Sequence, residues 1–247
     1  MAGLSWLTDR PVAHRGLHDA GAGIIENTLS AAAAAIEGGY AIEIDLQAAA
    51  DGTPVVFHDD TLDRLTTGAG PVSALSAADL AAIPFRDTAD RIPTFRQLLD
   101  LVDGRTPLIV EVKSDWSGMP VLCARILQDL EAYRGPVAIM SFDLKVVDVI
   151  RRTAPALPRG IVSESYRDWQ EGGTTAWSRF VMCHLLHAWR TKPHFVAYCV
   201  DDLPAGGALV LRWLFGLPLL TWTVRTATQR ENAARWADQI IFEGFRP

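Results

Sequence analysis

Eight short apolar or β-branched runs recur along this chain, at 11–14, 41–46, 107–112, 136–140, 159–163, 194–199, 218–224 and 239–242. Segments with helical periodicity separate most of them, among them 26–39, 117–135 and 143–153. Parallel strands need long crossovers, and a helix is the usual one. The alternation therefore specifies a parallel sheet covered by helices. Eight strands in 247 residues match an α/β fold of the closed (β/α)8 TIM-barrel kind; an open doubly wound sheet is the other arrangement the rhythm permits. One segment breaks it. Residues 53–93 hold a short strand, a Gly-rich turn and a short helical stretch before the pattern resumes at "TFRQLLDLVDG". They read as a small insertion between strand 2 and strand 3 of a single domain spanning 1–247.

A 49% hydrophobic content supports a sizeable core at this length. The formal charge is −6, from 29 acidic and 23 basic residues. A binder of nucleic acid through its phosphates normally shows a clustered basic excess, so that class is excluded; a small anionic ligand is not. Cys123, Cys183 and Cys199 are sparse, odd in number and never at C-x-x-C spacing, which suggests reduced thiols. The start, "MAGLSWLTDRP", lacks the basic and apolar regions of a secretion leader. The most apolar window, 206–220, is broken by Arg212 and Pro218 and falls short of the roughly 20 residues of a membrane span. A soluble, cytoplasmic protein without a membrane span is expected.

Charge placement within the strands is the next constraint. In "AIEIDL", Ile42, Ile44 and Leu46 share one face while Glu43 and Asp45 share the other. "LIVEVK" repeats the arrangement, with Glu111 and Lys113 opposite Val110 and Val112. Both faces of a parallel barrel are covered, so neither set can be a solvated flank, and unpaired buried carboxylates are expensive. Strand ends at the mouth of a barrel resolve the conflict. There, three carboxylates from adjacent strands suit a hard divalent cation. His14 and Arg15 follow the first strand, and His58 with Asp59 follows "VVF". Histidine is matched to proton transfer near neutral pH, and the arginine fork to phosphate oxygens. Glu26 and Asn27 open the first helix, where asparagine caps and glutamate favours the positive end.

Taken in order, "AHRG…ENT…EIDL…DGTPVVFHDDTLDRLTTGAG…IPTF…LIVEVK…SFD…WTV" resembles the glycerophosphodiester phosphodiesterase family, from residue 12 to about 224. The resemblance implies a (β/α)8 barrel with an insertion after the second strand. It implies hydrolysis of small-molecule glycerophosphodiesters to glycerol 3-phosphate and an alcohol, with a divalent cation, Mg²⁺ or Ca²⁺, as cofactor. The metal ligands then fall on Glu43, Asp45 and Glu111, and the acid–base histidines on His14 and His58. Arg15 and Lys113 hold the phosphate, Trp222 borders the substrate pocket, and Glu26 with Asn27 stands behind the metal ligands. The family's usual course has the neighbouring glycerol hydroxyl attack first, giving a cyclic phosphate that water opens; direct attack by water is equally compatible.

Several positions depart from the pattern. Ile25 replaces a proline, and Arg225 replaces an asparagine after "WTV", as an added phosphate contact or a change of headgroup preference. At the C-terminus, "IIFEGFRP" puts Glu243 where the family has aspartate and Phe242 where it has threonine. Ser141 in "SFD" is expected to cap a helix, and Asp201 and Asp202 to lie in a loop or a cap. His184 and His187, three apart, have the spacing of a helical metal pair without an adjoining acid. Two other functions fit the same barrel: release of a headgroup from lysophospholipids, with 211–217 as the wall of an acyl groove, and binding of a phosphorylated ligand without catalysis.

Overall fold

The computed structural model describes residues 3–86, 88–167 and 175–247. Among the described residues nine strands are present: β1 (Val12–Ala13), β2 (Ala41–Ala48), β3 (Pro54–Val56), β4 (Leu108–Val112), β5 (Val137–Ser141), β6 (Arg159–Ser163), β7 (Phe195–Cys199), β8 (Leu219–Val224) and β9 (Gln239–Phe242). All but β3 run parallel, in the order β1-β2-β4-β5-β6-β7-β8-β9, and β9 returns to β1. The barrel is closed, and its eight strands coincide with the eight apolar runs. β3 pairs antiparallel with β2 outside that circuit. The helices are α1 (Leu29–Glu37), α2 (Ala77–Ala82), α3 (Phe95–Val102), α4 (Pro120–Leu130), α5 (Leu144–Thr153), α6 (Ala176–Cys183), α7 (Ala188–Thr191), α8 (Gly206–Phe215) and α9 (Ala227–Trp236).

The two-residue period of the strands sorts the core into two layers. Ile42, Ile44, Leu46, Val110 and Val112 face outward and pack with Ala32 and Ala35 of α1, Leu98 and Leu99 of α3 and Ile126 of α4. The opposite faces meet inside the barrel, where Val12, Ala41, Ile109, Ala138, Phe195, Leu220 and Ile241 form a second cluster with Leu7. Burying a side chain of this size contributes about 1.5–3 kcal/mol. Helix starts follow local chemistry: Thr94 with Gln97 and Thr226 with Gln229 close reciprocal capping boxes on α3 and α9, and Asp143 caps α5.

The cap of α1 differs from expectation. Thr28, not Asn27, accepts from the Ala31 N–H, which frees the Asn27 side chain for a contact described below. Between β2 and α3 the chain builds a small apolar cluster from Val55, Phe57, Leu62, Val72, Leu80 and Phe85. That cluster fixes the stretch carrying His58, Asp59 and Arg64.

Candidate active site

The C-terminal ends of β1, β2, β4 and β8 open on one cleft of about 1090 Å³, lined by His14, Arg15, Glu43, Asp45, His58, Glu111, Lys113 and Trp222. Strand register explains the grouping. Asp45 and Glu111 are direct partners across the β2–β4 pair, and Glu43 lies two residues earlier on the same face of β2. Ala13 pairs with Ile42, so the chain leaving β1 delivers His14 and Arg15 beside Glu43. The turn is tight: Gly16 has φ 79°, and a Cβ there would stand 2.8 Å from Ala31, so only glycine fits.

Glu43, Asp45 and Glu111 are buried, 2%, 2% and 8% exposed. Each offers a carboxylate oxygen to a group lying within 4.8 Å of one another. Burial raises the Glu43 carboxyl well above its usual range, and the charges of Asp45 and Glu111 add to the effect. Asp45 is held low: burial opposes its ionisation, but Lys113, His58 and Arg15 outweigh it. Lys113 Nζ lies 2.9 Å from Glu111 and 3.2 Å from Asp45. The ammonium is raised by those two carboxylates against its own burial. Arg15 donates its backbone N–H to Glu43 at 2.9 Å and its Nη1 to Glu26 at 2.6 Å, with Nε 3.4 Å from Asp45. Desolvation works against this guanidinium, yet Asp45, Glu26 and Glu43 raise its pKa. An all-oxygen set with one carboxyl driven toward its neutral form is short of positive charge, and a hard divalent cation fits it.

Behind this group Asn27, only 1% exposed, donates Nδ2 to Asp45 Oδ2 at 2.9 Å and accepts the Asp45 N–H at 3.2 Å. Glu26 sits outside the cleft lining and joins Arg15 to Arg64. The two hydrogen bonds of Arg64 and the charge of Arg15 lower the Glu26 carboxyl despite burial.

Both cleft histidines rest on carboxylates. His14 donates Nδ1–H to Glu243 at 2.6 Å, and its Nε2 lies 3.9 Å from Glu43. His58 donates Nδ1–H to Asp59 at 2.8 Å. In each ring this leaves Nε2 as the atom available for proton transfer. Glu243 is held in turn by Arg225, Nε to Oε1 at 2.9 Å. The His14 hydrogen bond lowers its carboxyl far below the usual range, Arg225 adds to this, and partial burial opposes it. Asp59 is gripped by Arg64 Nε at 2.5 Å, and Gln47 Nε2 donates to the Asp59 carbonyl at 2.6 Å.

The departures from the family pattern also have places. Phe242 points away from the cleft into the outer core, edge-on to Tyr40 at 5.0 Å, while Ile241 lines the cleft and Glu243, just past the strand, reaches it through His14. Arg225 spends its guanidinium on Glu243. Ser141 donates to the Val112 carbonyl and accepts the Asp143 N–H, while Asp143 itself caps α5. Trp222 stands edge-on to Phe142 at 5.5 Å, its buried indole N–H without a partner among the described residues. Asp201 accepts from Gln229, and Asp202 from the Ser165 N–H.

His184 and His187 do not form a metal pair. The helix breaks between Cys183 and Ala188, where Leu185 has φ 56°, so three-residue spacing no longer puts both rings on one face. His184 stacks near Phe180 at the surface, whereas His187 is buried. Sequence reasoning missed Arg64 and Gln47. Their type and spacing carry no signal, because their partners are set by the path of the segment after β3.

The sequence matches the model of the Glycerophosphoryl diester phosphodiesterase family over residues 14–245. It is 31% identical over 161 residues to a glycerophosphodiester phosphodiesterase of Caldanaerobacter subterraneus, covering 61% of this chain and 65% of that protein. It is 30% identical over 226 residues to the Mycobacterium tuberculosis protein named Probable glycerophosphodiester phosphodiesterase 1, covering 82% of this chain and 80% of that one. Among solved structures, a phosphodiesterase of Oleispira antarctica in complex with the product sn-glycerol-3-phosphate superposes with a TM-score of 0.79, at 19% identity over 96% of this chain and 93% of that one. A glycerophosphodiester phosphodiesterase of Thermotoga maritima gives 0.71, at 22% identity over 94% of each chain.

Proposed function

This chain belongs to the glycerophosphoryl diester phosphodiesterase family, and from that premise we propose that it hydrolyses glycerophosphodiesters to glycerol 3-phosphate and an alcohol at this cleft. Glu43, Asp45 and Glu111 would hold a divalent cation, and the imidazoles of His14 and His58 would carry the protons. The observation that carries the proposal is the convergence of three buried carboxylates beside two histidines, each fixed through Nδ1 by a carboxylate.

Bound there, a hard cation supplies positive charge to the phosphoryl oxygens as negative charge grows in the transition state. Arg15 and Lys113 add fixed charge around the same oxygens, preorganised by their contacts with Asp45. The attacking oxygen, from the adjacent glycerol hydroxyl or from water, passes its proton to Nε2 of one histidine. The other histidine, protonated, gives its proton to the departing alcohol as the P–O bond breaks. Where the glycerol hydroxyl attacked, the histidines then exchange roles, one taking a proton from water as it adds to phosphorus and the other returning a proton to the glycerol oxygen as the cyclic phosphate opens. Glu243 and Asp59 steady the imidazolium at each stage, as a carboxylate does when it fixes the tautomer of a catalytic histidine. Trp222 offers an apolar wall at the substrate's edge.

The test is release of glycerol 3-phosphate from a panel of glycerophosphodiesters, with EDTA and with Mg²⁺, Ca²⁺ or Mn²⁺ restored. Release that stops with EDTA and returns with a cation supports reaction and cofactor together. Full release after exhaustive chelation refutes the carboxylate assignment. Release of choline from lysophosphatidylcholine alone would move the substrate to lysophospholipids.

A further inference from the structure

We propose that the flank of the barrel formed by α6, α7 and α8 binds an anionic lipid surface. These helices are neighbours. Leu185 and Ala188 share an apolar cluster with Leu203, Ala208 and Leu209, and a Cβ on Gly207 would lie 2.2 Å from the His184 carbonyl oxygen. Their inner sides, with Met182, Leu185, Ala188, Ala208 and Leu209 buried, are therefore engaged with the barrel. Their outer sides are not: Trp177, Trp189, Trp213 and Leu214 are 70%, 79%, 64% and 75% exposed, and Phe180 and Phe215 are exposed beside them. Of nine large exposed apolar side chains among the described residues, eight belong to this flank. Such concentration marks an interaction surface rather than scattered surface apolarity.

Charge identifies the occupant. The chain carries a net −6, yet no acidic residue occurs from Thr175 to Val200, where Arg179, Arg190 and Lys192 fall. In 203–217 the sole charged residue is Arg212, tied to Asp238. Tryptophan, phenylalanine and leucine interleaved with cations are what a surface needs to enter the headgroup layer of an anionic bilayer. No helix among the described residues is long and apolar enough to cross a membrane, so the contact is peripheral. A second copy of the chain fits less well, since a twofold pairing would set this cationic face against itself.

The full chain is to be sedimented with vesicles of phosphatidylcholine alone and of phosphatidylcholine with phosphatidylglycerol. The expected result is binding to the anionic vesicles only, weakened by salt. Two paired variants, Trp189→Ser with Leu214→Ser and Arg190→Glu with Lys192→Glu, should each weaken binding by about tenfold while the melting temperature stays unchanged. The charge-reversal pair, at two exposed positions, keeps the test valid should the apolar pair fold poorly. Absence of binding, or equal binding to both vesicle types, overturns the proposal. So does a dimer, detected by light scattering, that the Trp189/Leu214 pair dissociates.

Discussion

Asn27 adopts φ 57°, a left-handed geometry that asparagine tolerates better than most residues. That backbone turn and its two hydrogen bonds to Asp45 are one device, because only from there does the side chain reach the strand. Asn27→Ala removes a buried donor and acceptor and leaves the Asp45 N–H unpaired. It should destabilise the fold by about 2–4 kcal/mol, measurable by urea denaturation. Within "ENT", local preference favours Asn27 over Thr28 as the cap. The choice between them was decided by a residue 18 positions on, which local propensity cannot register. The histidines are candidates for proton transfer by residue type and by position after a strand. His14→Ala and His58→Ala should each lower kcat by about 10²–10⁴-fold with an unchanged melting temperature; a variant retaining near wild-type kcat would remove that residue from the pair. Glu243→Gln can accept the same hydrogen bond but cannot neutralise the imidazolium. It should lower kcat by about 10²-fold or more, with Glu243→Asp recovering part of the loss.

Among the elements, the strands were the most legible, because buried parallel strands are short, apolar and bounded by turns. Helix boundaries were less so, and the 176–191 stretch shows why. Helical spacing suggests one element through His184 and His187, but the chain turns at Leu185 to cover the barrel wall and begins α7 anew. His187 is thereby buried, with neither ring nitrogen partnered among the described residues. Burial lowers its pKa to about 4, against an ordinary value of about 6.5 in the unfolded chain. Between these values the unfolded chain binds the extra proton. This histidine's contribution is therefore intact above about pH 6.5 and is lost as pH falls toward 4. Unfolding free energies from urea titrations at pH 7 and pH 5 should differ by about 2 kcal/mol more in the wild type than in His187→Leu. Equal pH dependence in the two proteins would show that His187 titrates normally.

For the molecule as a whole, the site exists because the barrel closes. β9 lies between β8 and β1, and that closure brings Glu243 to His14 across 229 residues of sequence. Ordered motifs placed the residues on strands, but they carried no information about Glu243 taking both His14 and Arg225. Those contacts depend on how far each strand end projects into the mouth. Closure also concentrates like charge: Glu43, Asp45 and Glu111 meet where Arg15 and Lys113 supply only two cations. The fold carries an electrostatic cost there that a divalent cation would relieve. A ligand that binds only the folded state at 100 times its Kd stabilises by about 2.7 kcal/mol, and each kcal/mol moves the melting temperature of a chain this size by about 2–4 °C. Added Mg²⁺ or Ca²⁺ should therefore raise the wild-type melting temperature by about 5–10 °C. Glu43→Gln removes one of the three carboxyl groups while keeping the shape. In EDTA it should melt at or above the wild type, since Glu43 is already driven toward its neutral form, and it should lose most of the response to added cation. A variant that melts lower in EDTA yet responds fully to the cation would mean that Glu43 serves the barrel's packing rather than a metal.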